Sequence, residues 1–253
     1  GRDPYGIRAE NGIVRGCKVG AVTAAAGSTE GYGIRAGVIQ GCTVDNLTST
    51  AAIQGIRGEK VSDCEVGDVT GVSPSGIASL AGVTRCYVRA INALAGTTYG
   101  YGINVTAGAV SECTVNALHC ASGQIYGIFG TTVRNCRLSS HGLDAADAGL
   151  HCGIATSLPG YTTSLAGVVE GNSLQGIRNT GIYLGQGSVA RGNAIFNVGN
   201  VTGVADGKAI VGVTGCRIEG NTIGGDAPDY GIFVTGTGSL VVGNQCAGTF
   251  SGA

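Results

Sequence analysis

The sequence predicts an all-β fold, a single solenoid of about ten coils with three short sheets. Two observations carry this: a repeat that runs from end to end, and a glycine content that only turns can absorb. Of 253 residues, 48 are Gly and 4 are Pro, while Met and Trp are absent. Glycine costs roughly 1 kcal/mol per helix-interior position relative to Ala, so a helical bundle is excluded. Collagen is excluded as well, because the glycines keep no period of three. Charged residues make up 12% and hydrophobic ones 43%, enough apolar surface for a core and an argument against disorder. The surface must then be built largely of Ser, Thr, Asn, Gly and Ala.

The first strand of each coil is marked by a Gly-Ile or related pair, preceded by Tyr at 5–7, 32–34, 101–103, 126–128 and 230–232. The Ile positions are Ile7, Ile34, Ile56, Ile77, Ile103, Ile128, Ile154, Ile182, Ile210 and Ile232, spaced 21 to 28 residues apart with a mean of 25. Short apolar, β-branched segments between Gly and polar turns cannot be amphipathic helices, which need about ten or more periodic residues. They read as short strands. Because each copy repeats the same inward and outward pattern, copies can stack in parallel register, Ile on Ile, about 4.8 Å apart. The variable coil length implies three short sheets per turn, joined by corner loops of different sizes.

The second element follows 8 to 18 residues later and reads apolar, two residues, Cys or Asn, one residue, apolar, as in VSDCEV and IEGNTI. It predicts a stacked column of Cys17, Cys42, Cys64, Cys86, Cys113, Cys136, Asn172, Asn193, Asn221 and Asn244. Ile39, Val61, Val83 and Val110 on one side, and Val44, Val66, Val88 and Val115 on the other, are apolar in register. Cys216 with Ile218 is an alternative to Asn221 as the ninth member.

These repeats resemble the right-handed parallel β-helix superfamily of pectate lyases, polygalacturonases and phage tailspikes. They look still more like the Gly-Ile-rich, Cys-or-Asn-laddered repeat proteins of bacterial secretomes. The resemblance covers essentially all 253 residues and implies one right-handed β-helix domain over 1–253; separately, the lack of an initiator Met leads to the expectation of an excerpt of a longer or processed secreted protein. It also implies that an inward Asn at a coil corner bonds to the backbone of that corner and to the Asn above. Cys fits the same buried slot as a modest hydrophobe, so coils one to six are expected to use packing where coils seven to ten use hydrogen bonds. Free thiols are expected rather than disulfides, since coil neighbours about 4.8 Å apart lie beyond the usual 3.5 to 4.5 Å between bridged Cβ atoms.

Loops between coils are the natural place for chemistry, since the strands are committed to packing. The segment 139–153 supplies His141, Asp144, Asp147 and His151 and interrupts the coil rhythm. Asp144, Asp147 and His151 are therefore the candidate catalytic set for a carbohydrate-active lyase or epimerase, against the plainer reading of Asp144 and Asp147 as caps of a short turn. Asp226 and Asp229 read as turn residues. Enzymes of the resembled superfamily carry sites that do not recur here: Asn179-Thr180 is followed by Gly181, and Asp3-Pro4 by Tyr5. His119-Cys120 and His151-Cys152 lack the spacing of a zinc motif, so neither a metal nor a cofactor is expected.

Arg8, Arg35 and Arg57 follow the first three Gly-Ile pairs. Stacked in register, they would form a basic stripe suited to the carboxylates of an acidic polysaccharide, although Glu10 and Glu59 offer local pairing. The Tyr column could present rings to sugars, but its gaps at Gln54 and Ser75 favour ordinary corner packing.

With 15 Lys and Arg against 16 Asp and Glu, the net charge is −1, so neither nucleic acid nor an anionic membrane is an expected partner. No apolar run approaches the ~18 residues that span a bilayer. No cap is visible before the first coil or after the last, so the expectation is either that caps belong to parts of a longer polypeptide or that the open ends pair with the next copy. The expectation is a non-catalytic, extracellular or cell-surface structural or adhesive solenoid, able to stack head to tail with other copies.

Overall fold

A computed structural model describes residues 4–24, 28–142, 149–157, 166–199, 207–226 and 230–249. Among the described residues there is no helix; short strands wind into a parallel solenoid with three faces. The first face holds the Gly-Ile strands, such as Tyr99–Val105 and Gln124–Phe129. The second holds three-residue strands such as Ala109–Ser111 and Thr132–Arg134. The third, with ten strands along its path, runs from Lys18–Val19 to Gln245–Thr249.

Faces one and two form one hydrogen-bonded sheet rather than two. In the first four coils a single strand turns the corner: Tyr5–Arg15, Glu30–Gln40, Ala52–Ser62 and Ser73–Thr84. Register shifts between Ala9 and Ile13, and between Gly58 and Lys60, let the chain bend there without losing its neighbours. Later coils break at the corner instead.

Each face contributes an inward apolar column, and the third face adds a second one through Leu47, Val69, Ile91, Leu118, Ile177 and Val198. On the first face the ten isoleucines of this column, from Ile7 to Ile232, nine after Gly and Ile210 after Ala209, are paired coil to coil in a single register. The second face stacks Val14, Ile39, Val61, Val83, Val110, Val133, Val169, Ala190, Ile218 and Val241. The third stacks Val19, Val44, Val66, Val88 and Val115, then Leu138, Leu174, Ile195 and Ile223. The interior members of these columns are buried. Full burial of such a side chain is worth about 1.5–3 kcal/mol, so the columns supply the driving force for winding.

The Gly of each Gly-Ile pair has a steric cause. A Cβ built on Gly102 would lie 2.5 Å from the Gly127 carbonyl oxygen and 2.6 Å from the Val115 side chain, and the same clash recurs at Gly33, Gly55, Gly76 and Gly127. The backbone here passes too close to the next coil and to the third face to carry a side chain. Only at Ala209 does this column hold a methyl group.

A second backbone constraint sits immediately before each ladder residue. Gly16, Gly41, Gly171, Gly192, Gly220 and Gly243 have φ between 60° and 65°, and so, near 50–56°, do Asp63, Arg85, Glu112 and Asn135. The corner turns through the left-handed region in all ten coils, and four of them do so with a side chain. For an L residue this costs about 1–2 kcal/mol. Asp63 and Arg85 offset part of it by pairing with each other at 2.7 Å across the coils. Glu112 is exposed and is the clearest site to relieve. Glu112→Gly is expected to stabilise the fold by about 0.5–1 kcal/mol, raising the melting temperature by a few degrees in a thermal scan, once glycine's own entropic cost is subtracted. An unchanged or lower midpoint would show that the corner is unstrained.

Candidate functional site

The ladder forms the inner lining of the corner between faces two and three. Each rung's backbone N–H points at the side chain one coil further on. Cys136 N–H donates to Asn172 Oδ1 at 2.9 Å, Asn172 N–H to Asn193 Oδ1 at 3.0 Å, Asn193 N–H to Asn221 Oδ1 at 3.0 Å, and Asn221 N–H to Asn244 Oδ1 at 3.0 Å. The amide nitrogens complete the network: Asn193 Nδ2 donates to Val169 O at 3.0 Å and to Asn221 Oδ1 at 2.9 Å. Asn221, not Cys216, occupies the ninth rung.

The cysteine half differs from the packing-only expectation. Cys42, Cys64 and Cys86 N–H each lie 3.4 Å from the sulfur of the next rung, Cys64, Cys86 and Cys113. The thiol accepts the same hydrogen bond as the amide, more weakly, because sulfur is a poor acceptor. Hydrogen bonding to the next thiol, with burial adding to it, pushes Cys86 and Cys113 up to about 12. Such thiols stay protonated, and all ten cysteines are free.

Sequence reading missed a second, shorter network at the corner entering face two. Gly167 N–H donates to Ser188 Oγ at 2.9 Å and Cys216 N–H to Ser239 Oγ at 3.0 Å, the ladder's geometry repeated with other side chains. Its members are Gly, Ser, Cys and Ser, too varied in type to show as a repeat.

Of the candidate acid–base set, Asp144 and Asp147 lie outside the described residues, as does Asp229. His151 faces the interior, 1% exposed, beside His141 at 0%. His141 takes a place in the second column of the third face, between Leu118 and Ile177, and His151 pairs with Ile125. His141 thus stands where both neighbouring coils have aliphatic side chains, while His151 has Ile125 on the preceding coil and, on the following one, Asn179, whose Oδ1 accepts the His151 N–H at 2.9 Å. Burial, the largest cause, pulls both down from the usual histidine range to about 3. Cys120 is buried too, its thiol 2.9 Å from the Ser122 carbonyl oxygen. Among the described residues no group of three His, Cys, Asp or Glu is gathered as for a metal ion.

On the outer side of face one, Arg8, Arg35 and Arg57 pair in register. Glu10 draws in two of them: it bonds to Arg8 and lies 3.8 Å from Arg35. Arg57 donates to Tyr32 Oη at 3.2 Å. A groove of about 380 Å³ runs between Arg35, Arg57, Glu10 and Glu59, with Leu80 on its rim. The tyrosines stack on each other along the axis, Tyr5 on Tyr32 at 5.2 Å and Tyr101 on Tyr126 at 5.6 Å. Within each pair one ring face is covered by the other ring. A smaller cleft of about 130 Å³ opens where the column passes from Tyr126 to Cys152, beside Tyr183 and Leu150.

The end coils are the remaining candidate surface. The second face's column is buried from Ile39 to Ile218, at 2% exposure or less, yet Val241 in the same column is 46% exposed, with Leu240 and Val242 exposed beside it. At the other end Ile7 and Cys17 are only half-buried, and Ile13 is exposed. The last described coil thus leaves its core column open, whereas the first keeps Val14 and Val19 buried, at 7% each, beside the half-buried Ile7 and Cys17. No family model, no curated protein and no solved structure matches the chain.

Proposed function

We propose that this chain is a non-catalytic structural solenoid, extracellular or at a cell surface, that works by stacking the first coil of one copy on the last coil of another. The observation that supports this reading is Val241, a core residue by its column and a surface residue by its exposure. The two ends also share a pattern. Tyr-Gly-Ile opens both the first coil at 5–7 and the last at 230–232, and the ladder ends on Cys17 and Asn244. A second copy placed one coil-step on would set Ile7 over Ile232, Val14 over Val241 and Cys17 over Asn244, continuing every column. Such a contact joins two different surfaces and does not close on itself, so it propagates as a filament. Membership of the pectate-lyase-like superfamily, with right-handed winding, belongs to the same reading.

The test is self-association of the purified chain, followed by light scattering and negative-stain electron microscopy. Wild-type protein is expected to form linear assemblies whose length grows with concentration. Val241→Lys places a charge at the contact without entering a closed core, so it should give folded monomers. A wild-type chain that stays monomeric at high concentration, or a Val241→Lys chain that assembles equally well, overturns the proposal. A second reading, binding of an acidic polysaccharide, is supported by the in-register stripe of Arg8, Arg35 and Arg57 beside an open groove.

A further inference from the structure

All three histidines of the chain fall within one short stretch of the solenoid, on successive coils. His141 is fully buried inside it, and His151, 1% exposed, lies at the floor of the small cleft beside Tyr126 and Tyr183. Among the described residues, His141 Nε2 reaches only the Val115 carbonyl oxygen, at 3.4 Å, while His141 Nδ1 and both ring nitrogens of His151 are buried with no hydrogen-bond partner. Contact is close: a Cβ on Gly142 would meet the His151 ring at 2.6 Å, and one on Gly127 would meet His141 at 2.7 Å. Polar ring nitrogens left unpaired in a core cost free energy that an aliphatic side chain would not. The coils on both sides of His141 use aliphatic residues in its column, Leu118 and Ile177, and the coil before His151 uses Ile125.

The position within the fold is equally specific. The ladder changes from Cys to Asn between Cys136 and Asn172, and the histidine pair lies between those two rungs. Thiol-laddered coils are on one side and amide-laddered coils on the other. We propose that His141 and His151 form an acid-sensitive seam that opens the solenoid locally, between its Cys-laddered and Asn-laddered blocks, when the surroundings turn acidic.

The charge balance supports opening. Among the described residues, the charged or titratable groups that act on the pair are His119 from the third face and Arg178 from the following coil, both of which disfavour a positive charge there. Among the described residues no carboxylate faces the pair to take up the charge of a protonated ring. The sign follows from linkage. An imidazole that resists protonation when buried, and accepts a proton when exposed, favours the exposed state as pH falls below its ordinary value near 6.5. Each such histidine shifts the equilibrium by up to about tenfold per pH unit, and the pair by up to about a hundredfold. A solenoid allows this to stay local, because each coil contacts only its neighbours.

Amide hydrogen exchange at pH 7 and pH 4.5, corrected for the intrinsic exchange rate, reads the seam directly. Gly142 N–H, bonded to Leu118 O, and Arg178 N–H, bonded to His141 O, should lose protection by a hundredfold or more at the lower pH. Glu65 and Tyr87 N–H, bonded to Cys42 O and Cys64 O, should not. The double substitution His141→Leu with His151→Ile should keep Gly142 and Arg178 protected at both values. Loss of protection spread evenly over all coils, or none at all, overturns the proposal. If the double variant does not fold, imidazole proton shifts of the wild-type chain decide. Titration of either buried ring near pH 6.5 in the intact fold overturns the seam, and no titration until protection is lost supports it.

Discussion

Ile103→Asp is expected to destabilise the chain by about 5 kcal/mol or more, in the range reserved for burying a charge without a partner. Ile103 is fully buried and stacked between Ile77 and Ile128, themselves fully buried. A carboxylate there has no cation within its column. It must either stay protonated, still wasting its hydrogen bonds, or force the coil open to reach water. Because neighbouring coils supply the walls of the site, the loss should spread to the coils on each side. Ile103→Val is the control. It removes one methylene and leaves polarity unchanged, so it should cost only about 0.5–1.5 kcal/mol. Denaturant unfolding of both variants measures the difference. If Ile103→Asp kept the wild-type midpoint, the Ile column would not be the core.

The second large effect is expected at the ladder. Asn193 is 1% exposed and is bonded on every side: its Oδ1 accepts from the backbone and side-chain nitrogens of Asn172, and its Nδ2 donates to Val169 O and Asn221 Oδ1. Asn193→Ala removes the side chain and strands the Asn172 N–H and the Val169 carbonyl in the interior. At about 1–3 kcal/mol for each buried group left unpaired, the loss is about 4 kcal/mol. Asn193→Cys should recover part of it, since a thiol already accepts the same bond in the first half of the column. Cys86→Ala strands only the weaker sulfur-accepted bond of Cys64 N–H, and should cost clearly less than Asn193→Ala. Equal losses for Asn193→Ala and Cys86→Ala, measured by urea unfolding, would show that the column is held by packing alone.

Together these two variants separate the sources of order in the fold. The apolar columns supply most of the burial and are symmetric around the axis. The ladder sits at one corner, where the backbone enters the left-handed region and its N–H would otherwise lie buried without a partner. Glycine and the ladder residue act as a pair there: the first permits the turn, and the second receives the amide it exposes.

The Ile column from Ile7 to Ile232 was legible in the sequence, because a solenoid buries the same position in every coil and so writes its core as a repeat. The register of Arg8, Arg35 and Arg57 was legible for the same reason. What spacing could not show is anything made by different residue types at equivalent places. The Ser188 and Ser239 bonds at the opposite corner carry no repeated letter. Asp63, Arg85 and Glu112 share φ with glycines although their side chains have nothing in common with one. The thiols proved to be hydrogen-bond acceptors because their distance to the next N–H depends on how tightly the coils rise. His151 lay in a segment that reads as a polar loop, and only the winding of the chain turned it inward to meet His141. Periodicity along the chain thus determined the winding and its core. Contacts between unlike residues of adjacent coils were decided in three dimensions, since they depend on which side chains the rise of one coil brings within hydrogen-bonding distance of the next.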